Sequence, residues 1–177
     1  GVVKNEKRQG ENQPYGQVWD ALSRASYPKN HPYHHSVIGS MADLDAASLD
    51  DVKGWFRDWY GPNNAVLVLA GDIDTQVAKE KVARYFGDIP ASITVPKIKA
   101  NPAPRTTSTR EVMSDRVAQA RVYRVWNVPE FGSEDLDRLQ LVAQVLGGSK
   151  SSRLDKRLVH EEKLANSVSA GAWGGEI

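Results

Sequence analysis

Residues 65–71 read AVLVLAG, an unbroken apolar run closed by a glycine. A run of this kind predicts a strand buried on both faces. Helical patterns stand on either side of it. In LDAASLDDVKGWFRDWYGPNN (residues 44–64), Asp45 or Ser48 caps a helix whose first turn carries Asp50 and Asp51, where the helix dipole favours negative charge. Val52, Trp55, Phe56 and Trp59 form its apolar face, and Gly61-Pro62 stops it. In TQVAKEKVARYFGDIP (residues 75–90), Asp74 caps a helix with Val77, Val82 and Phe86 inward and Gly87 at its end.

Further out, residues 2–28 read as helical with a break at Gly10–Pro14, because proline lacks an amide hydrogen and clashes with the preceding turn. Asn12 or Gln13 is placed to cap the restart, with Pro14 in its first turn. Residues 28–44, with Pro28, Asn30, Pro32 and Gly39, read as a loop. Residues 88–106 carry Pro90, Pro96, Pro102 and Pro104, a composition that favours an extended connection and blocks ladder bonds. A domain boundary is expected there. Beyond it, STREVMS (108–114) and VAQARVYRVWNVP (117–129) read as strands, SEDLDRLQLVAQVLGG (133–148) as a capped helix with Leu136, Leu139, Val142, Ala143 and Leu146 inward, SSRLDKRLVHEEKLANS (151–167) as a second helix and SVSAGAW (167–173) as a last strand. The expected class is α+β.

Composition excludes several kinds of chemistry. The chain has 177 residues, no cysteine and a net charge of +1, so it has no disulfide or thiolate metal site and no bulk electrostatic pull toward nucleic acid or membrane. No apolar run approaches a membrane span. The first segment, GVVKNEKRQGENQPYG, opens without methionine or a signal-peptide pattern, and is expected to continue from a longer protein.

The conspicuous metal candidate is HPYHH, residues 31–35, which holds His31, His34 and His35. His31 and His35 share the four-residue spacing of one helix face, but Pro32 works against a helix there. A third nearby ligand is also missing, and packed or solvated loop histidines are the favoured reading. HEE at 160–162 lacks the second histidine of a zinc helix and reads as a charged helix face. LGGSKSSR (146–153) follows a helix instead of a strand, so it lacks the geometry of a phosphate loop. Composition and pattern alone complete no active site, and Glu6 reads as a surface glutamate.

Taken in order, four pieces of the chain resemble the insulinase (pitrilysin) family of zinc metallopeptidases. GVVKNEKRQGENQPYG resembles the segment after that family's metal-binding helix. HPYHHSVIGSMADLDAASLDDVKGWFRDWYGPNNAVLVLAGDID (31–74) is similar to its stretch from a His-Pro-Tyr loop through a Tyr-x-Pro-Asn-Asn-Ala turn. VARYFGDIP (82–90) and VLGGSKSSRLDKRLVHEEKLANSVSAG (145–171) resemble the end of that domain and the opening helices of the next. Each piece is weak, and their order and spacing carry the resemblance across nearly the whole chain.

The resemblance implies an α+β, metalloprocessing-peptidase-like fold of sheets flanked by helices, whose domains close as a clamshell around a chamber. It implies parts of two homologous domains: 1–98 as the C-terminal half of the metal-binding domain, 99–104 as linker and 105–177 as the N-terminal part of a second, non-catalytic domain. It implies Zn2+ held by an inverted His-x-x-Glu-His motif and a later glutamate, which is Glu6 here, with the motif's glutamate as general base. The chain contains no His-x-x-Glu-His. The general base and both histidines are therefore expected upstream, no catalytic residue is expected in this chain, and zinc is not expected to be held stoichiometrically. Aligning LVHEEKLANSVSA puts Val159 and Asn166 where the family has a substrate-binding arginine and tyrosine. Arg153 is a weak substrate-binding candidate, set against a helix-surface ion pair. The implied activity is hydrolysis of oligopeptides or unfolded segments, with peptide substrate and other domains or a homologous subunit as partners. The alternative is a non-catalytic homologue serving as scaffold or partner subunit. The resemblance favours a periplasmic or exported location, since many bacterial members of the family are exported, and the lack of cysteine permits it.

Overall fold

The computed structural model describes residues 1–98 and 103–177. Two compact units form: Gly1–Lys4 with Ile38–Ile98, and Asn5–Val37 with Lys99–Ile177. The expected linker, 99–104, lies largely outside the described residues.

Helix α1 (Val2–Glu11) ends where Gly10, Asn12 and Pro14 weaken the pattern. Helix α2 (Val18–Ser26) restarts later than expected, with Gln17 at its N-cap and no side-chain cap bond. Between them Tyr15 takes a left-handed conformation, φ 62°. Residues 28–44, read as loop, hold a 3-10 turn (Pro32–His34) and a short helix α3 (Met41–Ala46) capped by Ser40.

Helix α4 (Leu49–Trp59) begins with a complete capping box built by Ser48 and Asp51. Helix α5 (Thr75–Phe86) is capped by Asp74, whose Oδ1 accepts the Val77 amide at 2.8 Å, and closes at Gly87. Helix α6 (Glu134–Gly147) is capped by Ser133. A π-helical segment (Asp155–Glu161) stands inside the region read as an ordinary helix.

The α+β expectation, with sheets flanked by helices in a clamshell, is corrected: the described residues form helices, turns and irregular chain, and no strand. Residues 65–70 run without ladder bonds, with Val66 90% and Val68 77% exposed. The physical reason lies in what a strand is. A strand exists through hydrogen bonds to a neighbour, and an apolar run supplies the side chains of a central strand without supplying that neighbour. The same holds for 108–114, 117–129 and 167–173, all read as strands and all unpaired.

Without sheets to cover them, helix faces stay open. Among the described residues the buried apolar side chains are Ala21, Leu136 and Ala143. The face expected inward on α4 is largely exposed, and its aromatic rings meet one another instead: Trp55 stacks on Trp59 at 5.1 Å and Phe56 meets Tyr60 at 4.6 Å. On α6, Leu136, Ala143 and Gly147 are buried on one face, as the period predicts, while Val142 and Leu146 are not. The C-terminal segment lies against that face. A Cβ on Gly147 would meet Ala170, one on Gly174 would meet Leu136, and the Phe131 amide donates to the Gly175 carbonyl at 2.7 Å.

Candidate functional site

Glu6 sits in the middle of α1 and is exposed. Its neighbour Lys7 is buried, with Nζ 3.0 Å from Glu11 and 3.8 Å from Asp20, so the lysine ties α1 to α2 while Glu6 faces solvent. The Glu6 carboxylate forms no ion pair or hydrogen bond with another described residue. One carboxylate is one donor, whereas a catalytic zinc takes three protein ligands. Among the described residues no group of three or more His, Asp or Glu side chains is placed to hold a metal ion. The residues present therefore do not by themselves fit a zinc ion.

The HPYHH histidines have structural contacts. His31 is buried, stacks on Tyr27 at 4.6 Å and accepts the Tyr33 amide on Nδ1 at 3.1 Å, capping the 3-10 turn. His34 Nδ1 lies 2.7 Å from the Tyr27 carbonyl oxygen, and His35 meets the His34 ring edge-on. Burial, with Tyr33 as the smaller cause, pushes the Tyr27 hydroxyl above its ordinary range. Tyr33 accepts the Glu176 amide on its hydroxyl at 2.8 Å, so the loop helps hold the far C-terminus.

Arg153 is exposed and makes no ion pair or side-chain hydrogen bond with a described residue. Val159 is half-buried and Asn166 exposed. His160 and Glu162 of the HEE stretch are paired locally, His160 with Asp155 and Glu162 with Arg157. The structure does not bring Arg153 and Glu6 into a common site among the described contacts.

Three features were not read from the sequence. Tyr15 donates its amide to Asp115 at 2.8 Å and its hydroxyl to the Gln119 carbonyl at 2.7 Å, and the Arg121 guanidinium lies 3.8 Å from its ring centre. These contacts span about a hundred positions and leave no local signature. Asn63 clamps residues 92–93: its Oδ1 accepts the Ser92 amide at 2.7 Å and its Nδ2 donates to the Ser92 and Ile93 carbonyls at 3.2 and 3.3 Å. An open apolar groove of about 450 Å3 runs along α5, lined by Leu67, Leu69, Ile73, Val77, Val82 and Phe86. The polar groups of the groove lining are Asp74, which caps α5, Lys81 and Tyr85, and the rest of the lining is apolar.

Comparison with known proteins defines the class. The family model described as "Peptidase M16 inactive domain" matches residues 46–173. The chain belongs to this peptidase family, and the resemblance to the insulinase (pitrilysin) peptidases holds. Over 170 residues it is 31% identical to "Zinc protease PqqE" of Helicobacter pylori, covering 93% of this chain and 38% of that protein. It is 29% identical to "Uncharacterized zinc protease YmxG" of Bacillus subtilis over 94% of this chain and 40% of that protein. A solved structure, "The crystal structure of a protease from Helicobacter pylori", superposes with a TM-score of 0.65 at 26% identity over 97% of this chain and 44% of the other. The chain thus spans about two fifths of the length of the relatives it matches.

Proposed function

We propose that this chain is part of a zinc-dependent metalloendopeptidase that hydrolyses oligopeptides or unfolded segments. The carrying observation is the match to proteins named zinc proteases over 93% and 94% of the chain. In this reading residues 1–98 and 105–177 belong to two homologous domains joined at 99–104, and Glu6 contributes one zinc ligand. The remaining ligands and the general base come from outside these 177 residues, since no His-x-x-Glu-His occurs within them. Zinc so held would polarise the scissile carbonyl and lower the pKa of a bound water. Among the described residues no group of side chains is placed to hold a metal ion, and the isolated chain is expected to be inactive.

A second reading is a non-catalytic scaffold or partner subunit of an active peptidase. It is favoured by the description of the matched family as an inactive domain. Val159 and Asn166 at the two aligned substrate-contact positions support it as well.

Cleavage of a fluorogenic oligopeptide by the full-length protein separates the two. Under the first reading the full-length protein turns the peptide over and Glu6→Gln abolishes turnover. Turnover unchanged by Glu6→Gln removes the role given to Glu6. No turnover by the zinc-supplemented wild type favours the second reading.

A further inference from the structure

Residues 155–162 read DKRLVHEE. Counted at a separation of five, the sequence sets three opposite charges facing in succession: Asp155 with His160, Lys156 with Glu161, and Arg157 with Glu162. Counted at four, the α-helical separation, the same residues give one opposite pair, Arg157 with Glu161, and one like pair, Lys156 with a charged His160. The pattern thus suits a π-helix, whose backbone bonds join residues five apart and bring their side chains near one another, which an α-helix does not.

The backbone takes that register. The Glu162 amide donates to the Arg157 carbonyl at 2.8 Å, a five-residue step. Two of the three side-chain pairs are formed, Arg157 Nε to Glu162 Oε1 at 2.6 Å and His160 Nε2 to Asp155 Oδ1 at 3.1 Å. Asp155 is buried, and its Oδ1 has no aligned hydrogen bond, so the His160 ring nitrogen is its close partner. The charged groups around His160 on its own segment are Asp155, Lys156, Arg157, Glu161, Glu162 and Lys163. Among the described residues no ion pair reaches His160 or Asp155 from another element.

We propose that residues 155–162 form a proton-responsive register switch, π-helical when His160 is charged and shifting toward an α-helical register when it is neutral. A charged imidazole compensates the buried Asp155 carboxylate in the π register and is turned away from it in the α register. Loss of the proton removes that compensation, and Arg157 then has equivalent partners in Glu162 and Glu161. An imidazole changes charge between about pH 5 and 8. The register sets the phase of everything after it. The following chain reaches the Gly147 carbonyl through Ala170, Phe131 through Gly175, and the Tyr33 hydroxyl through Glu176. A one-residue change of register moves these three anchor points out of step with α6 and the HPYHH loop.

The test is through-hydrogen-bond NMR coupling in the 177-residue chain, labelled with 15N and 13C, at pH 5.5 and pH 8. The Glu162 amide couples to the Arg157 carbonyl in the π register and to the Leu158 carbonyl in the α register. The expected result is a ratio of the two couplings that falls by about three- to fivefold between pH 5.5 and 8, as loss of one partly exposed charge pair implies. His160→Gln should hold one ratio at both pH values, and Glu162→Gln should favour the Leu158 coupling at each pH. A wild-type ratio unchanged by pH, or a pH response that survives in His160→Gln, overturns the proposal. So does a Glu162→Gln chain that keeps the Arg157 coupling.

Discussion

Ser48 and Asp51 hold each other across the first turn of α4. The Ser48 amide donates to Asp51 Oδ2 at 2.8 Å, the Ser48 hydroxyl donates to the same oxygen at 2.6 Å, and the Asp51 amide donates to Ser48 Oγ at 3.2 Å. These bonds, the hydroxyl's first and the amide's second, hold the Asp51 carboxyl below the usual carboxylate range. The folded carboxyl therefore binds a proton less readily than the unfolded one. The capping box stabilises fully above the unfolded carboxylate range, and its contribution is lost as the pH falls through the folded value. The expected outcome is fraying of the first turn of α4 in strongly acidic solution, followed by NMR amide shifts at Leu49–Val52. In Ser48→Ala the turn is frayed already at neutral pH and the acid step shrinks.

Asn63 is the residue that turns the Pro62-Asn63-Asn64 stretch into a tether. Its amide bonds to three backbone groups of residues 92–93, and Gly61 lies so close to Ser92 that a Cβ there would stand 2.3 Å from the Ser92 nitrogen. Asn63→Ala removes exposed bonds, each worth about 1 kcal/mol at most. The expected loss is about 1–2 kcal/mol in denaturant unfolding, with faster hydrogen exchange at the Ser92 amide. Gly61→Ala should displace residues 92–93 while Asn63 remains in place, seen as shift changes confined to the two segments.

Leu136 is 1% exposed, and little else apolar is buried near it. Leu136→Ala leaves a cavity against Gly174 and should cost about 2–5 kcal/mol. Thermal melting should register this as a drop of roughly 6–15 °C. Leu141→Ala is the control. Leu141 is 70% exposed on the same helix, and its truncation should shift the melting temperature by less than about 2 °C.

What was legible in the sequence follows the range of the interactions involved. The caps at Ser48, Asp74 and Ser133 and the stop at Gly87 were readable because a cap is made within four residues. The restart of α2 at Val18 was missed because its N-cap uses no side-chain bond. The strands were misread because burial pattern and ladder partner are separate requirements, and AVLVLAG meets the first alone. The π-helical segment reads as an ordinary helix in 151–167, because the opposite charges of DKRLVHEE that mark it stand five apart and not at the α-helical spacings of three and four. Glu6 stands apart: no residue around it marks it, and its candidacy rests on resemblance to a family.

That candidacy has a direct test in metal content. A single exposed carboxylate binds zinc weakly in water, because it replaces few of the ion's water ligands and brings no second donor into fixed geometry. His31 Nδ1 accepts the Tyr33 amide and His34 Nδ1 lies against the Tyr27 carbonyl, so neither ring presents that nitrogen to a metal without breaking a bond. The 177-residue chain, purified and dialysed against metal-free buffer, should therefore retain well under one zinc per chain by elemental analysis, with Glu6→Gln unchanged from wild type. In the full-length protein the same substitution should lower zinc retention, since there Glu6 would join two imidazoles. Stoichiometric zinc in the 177-residue chain, or equal zinc retention in the full-length protein and its Glu6→Gln variant, would assign the metal to other residues.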